Sequence, residues 1–149
     1  MVTWKSPKPK TMNKRGEIII VDDDIDDLDI LEEVYSTLPF ENKLVLFHDV
    51  DEAYSYLKDH AAYPFLIISD INMPKMNGFE LRDKVFSDAE ISGKIIPFVF
   101  ISTSADRAMM KKHCQKSFHG YFEKKSDITE MTNMMERIIG YWRDGIPSD

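Results

Sequence analysis

A doubly wound α/β three-layer sandwich, a parallel five-stranded sheet with helices on both faces, is the fold class this chain predicts. Three observations predict it. Apolar runs at residues 18–21, 65–68 and 95–101 show no alternation, the pattern of strands covered on both faces. Between such runs lie stretches whose apolar residues recur three and four apart, the pattern of helices with one buried stripe. The connections are too short for a second domain, so each strand must return parallel to the last through a right-handed crossover.

Taken in order, the first strand is Ile18-Ile19-Ile20-Val21, β-branched and ending abruptly in Asp22, Asp23 and Asp24. Leu28, Leu31, Val34, Tyr35 and Leu38 then mark a helix, with Asp26, Asp27, Asp29, Glu32 and Glu33 on its wet side or first turn and Pro39 closing it. Residues 43–47 read as a second strand. Val50, Ala53, Tyr54 and Leu57 follow as a short helix capped by Asp49, with Glu52 at capping-box spacing. The third strand, Phe65-Leu66-Ile67-Ile68, delivers Asp70 to a turn marked by Met73-Pro74 and Asn77-Gly78, where Pro fixes φ and Gly tolerates positive φ. Helix signals resume at Phe79, Leu81 and Val85. Residues 95–101 form the fourth strand after a loop at Ser92 and Gly93, and residues 105–114 have weaker helical character. Gly120, Tyr121 and Phe122 make a short fifth strand, and Ile128, Met131, Met134, Met135, Ile138, Ile139 and Trp142 give the clearest helical stripe. That stripe reads as core packing. The expected organisation is a basic flexible arm at residues 1–16, one domain at 17–143 and a short tail at 144–149. The arm carries Lys5, Lys8, Lys10, Lys14 and Arg15 and reads as an upstream extension before a tether for an anionic partner.

Length and charge narrow the function. At 149 residues the chain is long enough for one sizeable core. Its 26 acidic and 19 basic residues leave a formal charge of −7, which argues against a generic nucleic-acid binder. The lone Cys114 can make neither an internal disulfide nor a Cys-rich zinc site, and the four histidines have no metal-ligand spacing. No apolar run approaches the roughly 20 residues of a membrane-spanning helix. The expectation is a cytoplasmic protein without membrane insertion.

In a parallel sheet, ligands gather outside the carboxyl ends of the strands. That rim collects Asp22 and Asp23, Asp70, Ser102 or Thr103, and Lys124 from four strands. Each alone has a plain reading, as an N-cap run, a turn Asp, strand-end hydroxyls or a surface lysine. Together they make a site. Three close carboxylates repel unless a cation sits among them, and an all-oxygen donor set suits Mg²⁺, which favours one or two carboxylates plus phosphate oxygens. Asp70 would then be a nucleophile toward phosphorus, with Lys124 neutralising phosphoryl charge and Ser102 donating a hydroxyl.

The segments IIIVDDD, LIISDINMPKMNG, PFVFIS and GYFEKK, in this order and spacing, resemble the receiver domain of two-component response regulators, the CheY-like, flavodoxin-like fold. The resemblance implies strand order 2-1-3-4-5. It implies that Asp70 is the phosphoacceptor for the phosphohistidine of a sensor histidine kinase or phosphotransfer protein, and that Asp22 and Asp23 hold Mg²⁺ with the Asn72 backbone carbonyl. It further implies Ser102 as the hydroxyl that turns to the phosphoryl group, Lys124 as its lysine, and Tyr121 as the aromatic switch. Thr103, next to Ser102, leaves the hydroxyl position open by one. Lys125 stands where the family commonly carries proline.

The function this implies is a stand-alone receiver, monomer or weak homodimer, that signals through a downstream protein and catalyses only its own phosphoryl transfer and dephosphorylation. Two alternatives remain. A receiver-shaped interaction module would never be phosphorylated. An aspartyl-phosphate phosphohydrolase would carry a second Asp two residues after the nucleophile, where this chain has Asn72.

Overall fold

In the computed structural model, residues 12–59, 61–103, 107–112 and 120–145 are described. Their order is β1 (Ile18–Val21), α1 (Ile25–Ser36), β2 (Leu44–Phe47), α2 (Val50–Leu57), β3 (Leu66–Ser69), α3 (Gly78–Phe86), α4 (Ala89–Ser92), β4 (Phe98–Ser102), α5 (Arg107–Lys112), β5 (Gly120–Glu123) and α6 (Ile128–Asp144). The strands form one sheet in the order β2-β1-β3-β4-β5, every pairing parallel. This is the expected doubly wound sandwich.

The absence of alternation in the strands has its cause in two cores. Ile18 and Ile20 of β1, Leu66 and Ile68 of β3, and Val99 and Ile101 of β4 face α1 and α6, which contribute Leu28, Leu31, Met131, Met135 and Ile139. The intervening Ile19, Val21, Ile67, Phe98 and Phe100 face α2 and α3 with Ala53, Leu57, Phe79, Leu81 and Val85. β1, β3 and β4 are buried along their whole length, whereas β2 and β5 are half-buried at the sheet's edges.

Local signals were realised with exchanges. Asp24 caps α1 by accepting from the Asp26 and Asp27 amides, and Asp49 caps α2 by accepting from Asp51. The reciprocal capping box forms not at Asp49 and Glu52 but on α3, between Asn77 and Glu80. The expected loop before β4 contains the single turn α4. The expected arm reaches only part of the way: residues 1–11 lie outside the described residues, but residues 12–16 pack. Met12 is buried and bridges Ile95 in parallel, because an apolar side chain beneath the sheet closes the α1/α6 core. The Asn13 side chain donates to the Tyr63 carbonyl at 2.7 Å, and buried Asn42 donates to the Lys14 and Gly16 carbonyls at 2.9 and 2.7 Å. Arg143 Nη1 donates to Asn42 Oδ1 at 3.1 Å, and Lys14 Nζ donates to the Gly145 carbonyl at 3.1 Å. Of the helix expected at residues 105–114, residues 105–106 and 113–114 lie outside the described residues, as do residues 146–149 of the tail and His60, His113 and His119. No helix among the described residues is long and apolar enough to cross a membrane.

Candidate functional site

The rim at the carboxyl ends of the strands is set by the sheet register. Val21 pairs with Ser69, Ser69 with Phe100, and Ser102 with Glu123, so the residues that follow β1, β3 and β5 emerge side by side. Asp22, Asp23, Asp70, Ser102 and Lys124 meet there. One carboxylate oxygen each from Asp22, Asp23 and Asp70 lies within 4.8 Å of the other two. Asp22 and Asp70 are buried while Asp23 is exposed, so the trio opens to solvent on one side.

Asp70 is held at one oxygen. Its Oδ1 accepts from Ser102 Oγ and from the Ile71 amide, both at 2.9 Å. Its Oδ2 has only Lys124 Nζ, 3.5 Å away, among the described residues. The hydroxyl on Asp70 is therefore that of Ser102. Thr103, one residue on, is exposed, and its carbonyl accepts from the Tyr121 hydroxyl at 3.3 Å. Tyr121 is half-buried against the α2/α3 core. Asn72 is exposed on the loop two residues past Asp70.

Lys124 Nζ lies 2.8 Å from Asp22 Oδ2 and 2.7 Å from Asp27 Oδ2. No peptide bond among the described residues is cis, so Lys124-Lys125 is trans and the lysine still reaches the site. The sequence pattern places Asp27 on the wet side or in the first turn of α1. Its only sequence signal is position: two residues into α1 it sits a helical turn from Asp23, close enough to turn back over the rim.

Burial dominates the electrostatics. It pushes the Asp22 carboxyl from 3.8 up to about 6, against the opposing hydrogen bond from Lys124 and the Asp24 amide. Asp70 is raised for the same reason, with Lys124, Ser102 and the Ile71 amide pulling the other way. Burial works against the Lys124 charge, but hydrogen bonds to Asp22 and Asp27 outweigh it and hold the ammonium above its ordinary range. One ammonium among buried carboxylates leaves an excess of negative charge that a hard cation would relieve, and an all-oxygen donor set fits Mg²⁺ or Mn²⁺.

The loop from β3 to α3 fixes Asp70 through its backbone. A Cβ on Gly78 would stand 2.3 Å from the Asp70 carbonyl oxygen and 3.1 Å from the Phe100 ring. Gly78 thus serves close approach and not the positive φ expected of it; its amide donates to the Ile71 carbonyl at 2.8 Å. The positive φ falls on Lys75, at 70°, whose ammonium pairs with Asp49 and Asp51. Beside it a groove of about 250 Å³ runs to Asp23, lined also by His48, Asp49 and Met73.

Comparison with known proteins agrees with this geometry. The family model described as response regulator receiver domain matches residues 18–136. Chemotaxis protein CheY1 of Helicobacter pylori is 31% identical over 124 residues, 83% of this chain and 97% of its own. Response regulator Rcp1 of Synechocystis is 24% identical over 134 residues, 87% of this chain and 90% of its own. Among solved structures, the phosphorylated cyanobacterial phytochrome response regulator RcpA superposes with a TM-score of 0.76 at 25% identity, covering 90% of this chain and 99% of that one. The Mn²⁺-bound form of Rcp1 superposes with a TM-score of 0.74 at 22% identity over the same shares, which speaks to the fold. A family match across most of the chain, on a five-stranded sheet whose rim gathers an acidic trio and a lysine, identifies this protein as a member of the response regulator receiver domain family of two-component signalling.

Proposed function

We propose that Asp70 accepts a phosphoryl group from the phosphohistidine of a sensor histidine kinase or phosphotransfer protein, in a Mg²⁺-dependent reaction. The observation that carries this reading is the division of labour at Asp70: Oδ1 is held by Ser102 and Ile71, while Oδ2 faces only an ammonium at the open side of an acidic trio. Asp22, Asp23 and Asp70 would hold the cation, with the Asn72 carbonyl as a further oxygen ligand. Bound there, it supplies positive charge to the phosphoryl oxygens.

The chain's own groups do the rest. An Asp70 carboxylate oxygen attacks phosphorus as the P–N bond breaks, the bonding pair leaving on the imidazole nitrogen. Lys124 neutralises charge gathering on the phosphoryl oxygens, and Ser102 Oγ turns from Asp70 Oδ1 to donate to one of them. That turn vacates space at the end of β4, beside Thr103 and Tyr121. The new arrangement is read there by a downstream protein in the cytoplasm. The reaction is stoichiometric, and the protein acts as a switch.

The test is incubation of the protein with Mg²⁺ and acetyl phosphate, followed by intact mass. A hydroxylamine-labile gain of one phosphoryl group is expected on the wild type and is lost in Asp70→Asn or with a chelator. No adduct on the wild type, or an undiminished one in Asp70→Asn, removes the reading.

A further inference from the structure

We propose that Asp27 is a positioning residue that holds Lys124 back from Asp70 until a phosphoryl group arrives. This rests on the reading of Asp70 as phosphoacceptor. The lysine's three N–H donors meet three carboxylates, and they are not shared evenly. Asp27 Oδ2 is nearest at 2.7 Å, Asp22 Oδ2 follows at 2.8 Å, and Asp70 Oδ2 is last at 3.5 Å. The nearest partner is also the one that comes from a helix and not from a strand end.

Among the described residues, the Asp27 carboxylate has Lys124 as its side-chain partner. The cap of α1 belongs to Asp24, which accepts from the Asp26 amide at 2.9 Å and from the Asp27 amide at 3.4 Å. Asp26, in the same turn, is exposed, as a residue serving only the helix dipole would be. The Asp27 side chain is 33% exposed and turned onto a lysine that is 16% exposed, so the contact is partly shielded from water.

Phosphorylation changes what Lys124 is offered. A phosphoryl group on Asp70 brings strong acceptor oxygens to the lysine's far side. To donate to them Nζ must move toward Asp70 and away from α1. Asp27 opposes that movement. It therefore sets how much of the phosphorylated protein adopts the rearranged site, and it ties the first turn of α1 to the state of Asp70.

Beryllofluoride, an unreactive stand-in for the phosphoryl group on a carboxylate, measures this. Fluorine NMR titration at fixed saturating Mg²⁺ is run on the wild type, Asp27→Asn, Asp26→Asn, Lys124→Met and the Asp27→Asn/Lys124→Met pair. Asp27→Asn is expected to lower the half-saturating concentration about 3- to 10-fold and Asp26→Asn to change it less than about twofold. In the Lys124→Met background Asp27→Asn is expected to lose its effect. An unchanged or weaker Asp27→Asn overturns the proposal. So does an effect that persists without Lys124, because simple repulsion of the anion would then explain it. A wild type that takes up no beryllofluoride removes the phosphoacceptor reading and this inference with it, whereas normal uptake without coupling removes this inference alone.

Discussion

Replacing Asp22 by Asn is expected to make the metal-free protein more stable while removing its response to Mg²⁺. Asp22 is 2% exposed, and burial lifts its carboxyl from 3.8 to about 6. Between those values the folded protein holds a proton that the unfolded chain has released. The stability of the protonated site is therefore full below 3.8 and is lost as pH rises through 6. That difference corresponds to about 3 kcal/mol against the folded state at pH 7.5. An amide of the same shape carries no charge to bury, and the rise to about 6 is already net of the Lys124 contact; imperfect hydrogen bonding by the amide in the carboxylate's place costs roughly 1–2 kcal/mol. The net expectation is a gain of about 1–2 kcal/mol, or about 3–6 °C in melting temperature for a chain of this size. Urea unfolding in chelator at pH 7.5 and pH 4.5 checks it. At pH 4.5 the wild-type carboxyl is mostly protonated and the gain should disappear. A variant no more stable than wild type at pH 7.5, or equally ahead at both pH values, refutes the account of the buried charge. Adding Mg²⁺ should then raise the wild-type midpoint and leave that of Asp22→Asn in place.

Three other substitutions probe the scaffold. Gly78→Ala sets a methyl group 2.3 Å from the Asp70 carbonyl and should cost about 2 kcal/mol or more in urea unfolding; a loss under about 0.5 kcal/mol would show that the loop yields freely. Arg82 is buried against the rings of Phe79 and Phe100, pairs with Asp83, and leaves Nη1 without a hydrogen-bond partner among the described residues. Arg82→Met should consequently fall between neutral and about 1 kcal/mol more stable, and a loss above about 2 kcal/mol would refute the idea that the guanidinium is poorly satisfied there. Asn42→Ala orphans the carbonyls of Lys14 and Gly16 and should destabilise by about 2–4 kcal/mol, accompanied by faster amide exchange at residues 12–16; unchanged exchange would contradict its anchoring role.

Much of the site is legible because its chemistry lies at strand ends. Ile18 to Val21 and Leu66 to Ser69 are apolar enough to announce buried parallel strands, and a carboxylate directly after such a strand has one place to go. Strand alternation then separates Ser102, which is buried on Asp70, from exposed Thr103, a choice the sequence leaves open because both are small hydroxyl residues. Asp27 is hidden for the opposite reason. An Asp in the first turn of an acidic helix already has a sufficient explanation in the helix dipole, and only the fold shows Lys124 beside it. Gly78 is read for the wrong property, since a glycine needed for close approach and one needed for positive φ look the same. Arg82 is invisible as a buried residue, because a charged side chain between Leu81 and Asp83 reads as the wet side of α3. Met12 stands too far from any periodic run to be assigned to a core that closes over it only in three dimensions.

The bond from Lys14 to the Gly145 carbonyl has a topological consequence. β1 begins just after Lys14, and α6 runs back from the end of β5, so both residues sit at the amino-terminal rim of the sheet, across its full height from Asp70. The described chain thus begins and ends on the same side of the sheet, opposite the rim at Asp70. A bridge of a few residues between these points would close the chain into a ring, which could be reopened in a front or side loop without crossing the strands. A cargo attached at either point would hang behind the sheet and leave the rim at Asp70 uncovered.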